Sequence, residues 1–268
     1  MSDPAQPSFV WQIYHYDLEP NSALFGVKAA GEMQHIQFNE ANGDLQVINN
    51  LPEPLNGAKA QVTIYNLDGS VAARHDTPVT APASSAVNLG VVQFPAAVSA
   101  VHFLKLELKD SAGKLISRNF YWRSLPAHPD DFTEMEKMPK VTLDAKGETK
   151  DAEGKRIVTV TLHNPSAHLA VMTHLQLRRK TSGERVLPVY YSDNYVSLVP
   201  DETRTITIEA AVKAFNGEEP LVMLDGWNIT VAPTDAGVAI APNLDAQPDR
   251  SPVTGLPFQT VGLREGLH

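Results

Sequence analysis

Short runs of alternating apolar and polar residues extend along most of this chain, separated by Gly, Pro, Asn or Asp at intervals of about eight to twelve residues. In one run Leu104, Leu106 and Leu108 share a face, because side chains alternate across a strand, while Lys105 and Glu107 are expected to face water. The same alternation predicts further inward-facing residues, namely Val158, Val160, Leu162, Val171, Leu175, Leu177, Ile206 and Ile208. Helical spacing fits none of these runs, so the chain is predicted to be all-β.

The predicted strands form two groups of seven, each the size of one β-sandwich. The first group, within 32–124, comprises 33–41, 44–51, 58–67, 71–81, 87–94, 102–110 and 115–123. The second group, within 139–232, comprises 141–145, 156–164, 170–180, 184–192, 195–199, 203–212 and 221–231. Tight hairpins need residues that tolerate positive φ, and such residues occur at Asn42-Gly43, Asp68-Gly69 and Ala112-Gly113. The pattern therefore predicts two tandem sandwiches.

The remaining segments lack this alternation. Residues 125–138 are rich in Pro and acidic residues and are interpreted as a linker, whereas 233–268 contain five prolines and predict an extended or disordered tail, or one that lies across another surface. Residues 22–30 read as a short helix between Asn21 and Gly31, preceded by an aromatic stretch. A helix this short cannot bury its apolar side alone, so it must pack on another surface.

Composition excludes several classes of function. The net charge of −9 gives no basic field for nucleic acid or an anionic membrane surface, so neither partner is expected. The absence of Cys rules out disulfides, thiolate zinc sites and cysteine nucleophiles. No apolar run reaches the ~20 residues of a membrane span, and the first residues have no signal-peptide pattern.

Several motifs resemble one enzyme family, in order and with family-like spacing from about residue 7 to residue 231. They are PSFVWQIYHYDLEP at 7–20, ALFGVKAA at 23–30, YNLDG at 65–69, SRNFYW at 117–122, VLPVYYSDNYVSLVP at 186–200 and DGWN at 225–228. The sequence is similar to family 2 glycoside hydrolases, in the branch of exo-β-D-glucosaminidases, β-mannosidases and mannosylglycoprotein endo-β-mannosidases. It departs from that family at Gln6, where a Trp is usual, and at Asp201, where a Gly is frequent.

The resemblance implies a C-terminal region: residues 1–31 would be the end of a (β/α)8 catalytic barrel with its last helix, followed by two immunoglobulin-like sandwiches. The retaining mechanism of such enzymes uses two carboxylic acids about 5 Å apart. In the family both are glutamates on barrel strands, which would lie upstream of this sequence. The chain alone is therefore expected to be inactive, with no catalytic residue, no cofactor and no metal of its own. The missing barrel is the expected partner. The sequence does not determine the cellular compartment, because a periplasmic or secreted parent enzyme would carry its signal peptide in the part that precedes this sequence.

The candidate substrate contacts are polar and aromatic residues of the second sandwich. They are Tyr191, Asp193, Asn194, Tyr195 and Trp227. Aromatic faces stack on sugar rings, and Asp and Asn can bridge vicinal hydroxyls, so the set suits an oligosaccharide at the edge of the barrel's cleft. The alternative is a purely structural corner in which the Asp and Asn cap a turn and the tyrosines fill the core. We favour the structural interpretation.

Other candidate sites are weaker. Asn119, Tyr121 and Trp122 are expected to pack against the neighbouring domain, and Trp11, Tyr14 and Tyr16 to contact the barrel. His163, His168 and His174 have no fixed ligand spacing for zinc, with His163 and His174 on outward strand faces. The acidic residues Asp130, Asp131, Glu134 and Glu136 match no calcium loop.

Two functions of different classes remain. The first is a non-catalytic C-terminal region that supports the barrel of a β-glycosidase. The second is a free-standing carbohydrate-binding or adhesion module of two sandwiches, which would need a sugar site that works without a barrel.

Overall fold

The structure is a computed structural model that describes residues 13–14 and 18–243. One α-helix, α1 (Ser22–Ala30), precedes the strands. Asn21 caps it by accepting a hydrogen bond from the amide of Ala23 over 3.1 Å, as expected for an N-cap residue. No helix in the described residues is both long and apolar enough to cross a membrane.

The first sandwich contains one strand for each of the seven runs predicted there. The strands are β1 (Gln34–Phe38), β2 (Asp44–Asn49), β3 (Leu55–Asn66), β4 (Val71–Ala81), β5 (Ser85–Val91), β6 (Val101–Lys109) and β7 (Leu115–Ser124). A three-stranded sheet of order β1-β2-β5 packs on a four-stranded sheet of order β4-β3-β6-β7. Leu104, Leu106 and Leu108 are fully buried between them, which confirms the predicted alternation.

The second sandwich has more strands than the sequence predicts. They are β8 (Val141–Ala152), β9 (Lys155–His163), β10 (Ala170–Arg179), β11 (Tyr190–Tyr191), β12 (Val196–Leu198), β13 (Thr203–Ala211), β14 (Pro220–Asp225), β15 (Ile229–Val231) and β16 (Ala239–Pro242). The two sheets have the orders β12-β10-β14-β16 and β11-β13-β9-β8-β15. The single run predicted at 221–231 is two strands, because the chain passes from one sheet to the other at Gly226-Trp227-Asn228.

Part of the predicted tail belongs to this sandwich. β16 pairs in parallel with β14, and Val238 and Ile240 are buried in the core at 2% and 1% exposure. The sequence predicted an extended or disordered tail from 233, or one that lies across another surface, and within 233–243 the chain includes an extended strand that joins the second sandwich. A buried run of four residues is too short for alternation to assign it to that sandwich. Residues 244–268 lie outside the described residues.

A β-bulge changes the orientation of one predicted core residue. Met172 has a φ of 57°, and the register of β10 against β12 shifts between Ala170 and Thr173. Ala170 therefore faces the core of the second sandwich, whereas Val171, predicted to face the same core, packs in the cluster between the two sandwiches. Leu175 and Leu177, beyond the bulge, face the core as predicted.

The segment at 125–138, interpreted as a linker, connects the two sandwiches and is partly buried between them. Met135 and Met138 are 2% and 7% exposed and pack between the sandwiches, against Phe103 from the first and Val171 from the second. Isolated methionines after a short 3₁₀ helix (Thr133–Lys137) give no periodic signal, so the sequence did not predict this packing. Because the connector itself is part of an apolar interface, the two sandwiches are joined by packing as well as by the chain.

Charged residues complete this junction. Glu202 of the second sandwich accepts from Lys105 over 3.1 Å, Arg118 over 3.3 Å and Arg204 over 2.9 Å. The side chains of Lys105 and Glu107 are consequently only 12% and 17% exposed, which corrects the prediction that they face water. The outer face of β6 is covered by the other sandwich.

Candidate functional site

The corner at 190–195, which the sequence singled out, is tied to β10 by side chains. The Tyr191 hydroxyl accepts from the amide of Leu177 over 3.0 Å, and the Asn194 amide group bonds both backbone groups of Leu175, over 2.8 and 2.9 Å. Tyr191 and Asn194 are 4% and 3% exposed. Both residues therefore hold the corner in place and offer almost no surface to a ligand.

Tyr195 faces the segment before the strands. Its ring stacks on His174 with centroids 4.6 Å apart and lies 6.0 Å from the ring of Phe25, which is itself buried in the second core. Its hydroxyl donates to the carbonyl of Pro20 over 3.3 Å. Tyr195 thus joins α1 and the residues preceding it to the second sandwich.

Beneath this contact lies a group of five polar residues around the buried carboxylate of Glu19, which we call the Glu19 cluster. Its members are Glu19, His174, Gln176, Arg185 and Asp225. Glu19, whose side chain is 6% exposed, accepts from Gln176 over 2.7 Å and from Arg185 over 3.0 Å, and its other oxygen lies 3.4 Å from Nε2 of His174. The Nδ1 atom of His174 lies 3.1 Å from Asp225. The cluster fixes a residue from before α1 to the outer face of β10 and β14.

The electrostatics of the Glu19 cluster favour a charged imidazole. Burial lowers the pKa of His174, but Asp225 and Glu19 outweigh this effect and raise the pKa to about 9. His174 is therefore protonated at neutral pH, and it bridges two carboxylates. As predicted, His174 lies on the outward face of its strand, β10. Its side chain is nevertheless only 12% exposed, because Glu19 and Tyr195 cover it.

A cavity of about 350 Å³ lies where α1, the first sandwich and the second sandwich meet, and we call it the junction cavity. Lys28 of α1, Arg118 of β7 and Arg204 of β13 contribute to its lining. Asp193 also lines it, with its carboxylate 3.3 Å from Arg204. Of the five predicted substrate contacts, Asp193 is the one that borders this cavity.

Trp227 lies at a different part of the junction. Its indole Nε1 donates to the carbonyl of Met135 over 3.0 Å, so the ring holds the 3₁₀ helix of the connector, and 42% of the residue remains exposed. The structure thus does not gather the five residues into one surface. That they contact a sugar in a longer protein stays a prediction.

The end of β7 packs mainly within its own sandwich, whereas the sequence predicted contacts with the neighbouring domain. The Tyr121 hydroxyl accepts from the amide of Phe38 over 3.1 Å, and Asn119 donates to the carbonyl of Ile36 over 2.6 Å. Trp122 packs edge-on against Phe132 of the connector. Trp11 and Tyr16 lie outside the described residues, and Tyr14 forms an isolated bridge with Pro20.

The three histidines considered for zinc have separate partners. His163 lies between Asp144 and Asp201, at 3.3 and 3.2 Å, and His168 contacts the carbonyl of Asp68 over 2.7 Å. Within residues 13–14 and 18–243, no three potential ligand side chains are grouped to hold a metal ion. In the acidic segment, Asp131 accepts from Thr133 and Glu134 pairs with Lys137 over 2.5 Å.

Comparison with known families matches both sandwiches. Residues 42–128 match the mannosidase Ig/CBM-like domain, and residues 119–229 match the exo-β-D-glucosaminidase Ig-fold domain. Both matches agree with the immunoglobulin-like fold that the resemblance implied.

Individual relatives give the same picture. The exo-β-D-glucosaminidase of Streptomyces avermitilis is 32% identical over 245 residues, covering 82% of this chain and 27% of the relative. The mannosylglycoprotein endo-β-mannosidase of Lilium longiflorum is 26% identical over 278 residues, covering 81% and 29%. The crystal structure of the exo-chitosanase CsxA of Amycolatopsis orientalis superposes with a TM-score of 0.77 at 29% identity, covering 85% of this chain and 29% of that one. The chain thus spans under a third of the length of these proteins.

Proposed function

The chain carries the immunoglobulin-fold domains of the exo-β-D-glucosaminidase and mannosidase branch of glycoside hydrolase family 2, and we propose that it acts as the non-catalytic C-terminal region of such an enzyme. In this role α1 is the last helix of a catalytic barrel that hydrolyses β-glycosidic bonds. The two sandwiches support the barrel from behind, with Asp193 near the entrance to its cleft.

The Glu19 cluster is the observation that carries this proposal. Glu19 precedes α1, yet its partner Gln176 lies 157 residues further along the chain, on the second sandwich. A buried carboxylate with cationic and amide partners is costly to pull away, because its hydrogen bond with Gln176 and its ion pair with Arg185 would be lost. A domain that continues from residue 18 toward the N-terminus is therefore held against the second sandwich.

The exposed face of α1 suits such a neighbour. Ala23, Gly26, Val27 and Ala30 recur at helical spacing and are all exposed, and Val27 has 61% of its surface accessible. Small side chains allow another element to approach the helix backbone closely, and an apolar strip gains free energy when it is covered. This face is the expected contact with the rest of the barrel.

Two carboxylates with little exposure, Glu202 and Glu19, support a non-catalytic role. A glycosidase acid needs a raised pKa and an open position beside its nucleophile. Burial raises the pKa of Glu202, but Arg204 and Lys105 outweigh burial and leave it below its usual value. Glu19 is likewise engaged by Arg185 and Gln176. Glu202 and Glu19 are thus committed to ion pairs. Burial raises the pKa of Asp193, although Arg204 opposes this effect and pairs with the carboxylate over 3.3 Å.

The test is a chimera of the structurally similar exo-chitosanase. In it, this chain replaces the matching C-terminal part of the Amycolatopsis orientalis enzyme, and hydrolysis of an aryl β-D-glucosaminide is measured beside that of the truncated enzyme and of this chain alone. We expect no turnover by this chain, little by the truncated enzyme, and restored turnover by the chimera. Glu19→Gln should lower that recovery, whereas Glu148→Gln, at an exposed residue that pairs with Lys146, should leave it unchanged.

Two outcomes would overturn the proposal. Turnover by this chain alone would place catalytic groups within it. Tight binding of chitosan or mannan oligomers by this chain, without restored activity in the chimera, would favour the free-standing carbohydrate-binding module instead.

A further inference from the structure

Three asparagines of this chain are followed directly by glycine. They are Asn42, Asn56 and Asn216, and all three are exposed to solvent. An asparagine before glycine is prone to spontaneous deamidation, because glycine has no side chain to keep its backbone nitrogen away from the asparagine side chain. The contacts around each pair therefore decide where the chain is modified.

The reaction needs water and no enzyme. The backbone nitrogen of the glycine attacks Cγ of the asparagine and forms a C–N bond, and the side-chain nitrogen leaves as ammonia with the proton that the glycine nitrogen gives up. Water then opens the five-membered succinimide at either of its two carbonyl groups, so the products are aspartate and isoaspartate. A side chain or a glycine amide held by hydrogen bonds reacts slowly, because those bonds must break before the ring closes.

Asn42 is held at three points in the hairpin between β1 and β2. Its Oδ1 atom accepts from the amide of Asp44 over 3.0 Å, and its Nδ2 group donates to the Asp44 carboxylate over 2.8 Å. The amide of Gly43, which would have to attack, donates to the carbonyl of Asn39 over 2.8 Å. Hydrogen bonds thus restrain both reacting groups of this pair.

Asn216 is held by its side chain. In the orientation that suits its neighbours, the amide group donates to the carbonyl of Lys213 over 3.3 Å and accepts from Arg179 over 3.1 Å. The residue follows a second 3₁₀ helix (Val212–Phe215), and its backbone amide also donates to Lys213. Closure of the succinimide at Asn216 would break both side-chain hydrogen bonds.

Asn56 lies in β3 without such restraints. Among the residues that the structure describes, none forms a hydrogen bond with its side chain. The register of β3 against β4 shifts at this point, and neither Asn56 nor Gly57 has a partner residue there. The pairing of β3 with β6 begins only at Lys59. Asn56 is therefore the least restrained of the three asparagines.

We propose that Asn56 is the deamidation site of this chain and that isoaspartate forms there. Isoaspartate continues the main chain through its side-chain carbon, so the backbone gains one methylene group beside Leu55, which is buried in the first core. The modified residue is exposed and is a substrate for carboxyl methyltransferases that recognise isoaspartate and use S-adenosylmethionine. This inference does not depend on the supporting role proposed above.

The test is incubation of this chain in mildly alkaline buffer, with peptide mapping by mass spectrometry at intervals. We expect the peptide with Asn56 to convert at least about tenfold faster than those with Asn42 or Asn216, the ratio expected when one or two hydrogen bonds must break first. A purified isoaspartate methyltransferase with labelled S-adenosylmethionine should place its label on the same peptide. In urea the three rates should converge, because the contacts that separate them are lost.

Variants separate the effect of the contacts from that of the dipeptide. Asn56→Gln keeps an amide at the position but forms a succinimide far less readily, so it should remove most of the methyl label. Asp44→Ala frees the Nδ2 group of Asn42 and should accelerate deamidation there, without changing the rate at Asn56. Thermal melts verify that each variant is folded. Equal rates at the three sites in the folded chain, a difference that persists in urea, or undiminished label in Asn56→Gln would overturn the proposal.

Discussion

His174 lies between two carboxylates, Glu19 and Asp225, with the ring of Tyr195 stacked on it. The folded protein holds the His174 proton up to about pH 9, whereas in the unfolded chain an ordinary histidine releases it near pH 6.5. Between these two values the folded state binds one more proton than the unfolded state, so the free energy of unfolding must fall as the pH rises. The contribution of His174 is complete below pH 6.5 and lost above about pH 9.

We expect this contribution to be on the order of 3 kcal/mol, the difference between the two pKa values expressed as free energy. Denaturant unfolding at several pH values from 6 to 10 would measure it. His174→Gln should flatten the decline in this range, whereas His75→Gln, at an exposed position of β4, should not. A wild-type protein whose stability is constant over the same range would contradict the prediction.

The role of Glu19 and His174 could not be predicted from the sequence. Alternation placed His174 on an outward face, and nothing local indicates that a residue from before α1 covers it. For Leu104, Val160 and Ile206 the prediction was right, because their burial follows from the period of the strand in which they lie. Residues buried by a distant segment have no such periodic signal.

At the level of elements, α1 depends on the second sandwich for its stability. Nine residues are too few for an independent helix, and Phe25, 8% exposed, is the side chain that enters the second core. Phe25→Ala should weaken the attachment of α1 by roughly 3 kcal/mol, since a buried phenyl ring is removed. Hydrogen exchange of the amides in 22–30 should accelerate about a hundredfold as a result.

Val27→Ala provides the control for this experiment. Val27 belongs to the same helix, but with 61% exposure its truncation should change the free energy by less than about 0.5 kcal/mol. Similar exchange rates in the two variants would mean that Phe25 does not anchor the helix.

The elements themselves were predictable to different degrees. The first sandwich could be predicted strand by strand, because its strands alternate clearly and three of its hairpins turn at a glycine with positive φ, namely Gly43, Gly69 and Gly113. In the second sandwich the sequence did not predict the bulge at Met172 or the short strand β16. A bulge shifts the alternation by one residue, and four residues are too few to establish a period.

At the level of the whole molecule, the two sandwiches meet through apolar packing, the Glu202 ion pairs and one close backbone contact. Gly69, in the β3–β4 hairpin with φ of 97°, lies against the second sandwich, where an added Cβ would stand 2.5 Å from the carbonyl oxygen of Ala167. Gly113, in the β6–β7 hairpin, has a φ of 83° and no heavy atom within 4 Å of such a Cβ. The two glycines therefore differ in contact and not in backbone strain.

This difference allows the junction to be tested with a matched pair of variants. Gly113→Ala and Gly69→Ala should both lose roughly 1–3 kcal/mol of stability, because each places a side chain at positive φ. Gly69→Ala should lose about 1–2 kcal/mol more, since the new methyl group must push Ala167 and its sandwich away. Denaturant unfolding measures the difference, and limited proteolysis of the connector at 125–138 reports whether the junction has opened. If both variants lose the same stability and their connectors resist the protease equally, the sandwiches are not held together at Gly69. If the connector is cleaved in Gly69→Ala and not in Gly113→Ala, the fixed arrangement of the sandwiches depends on the contact at Gly69.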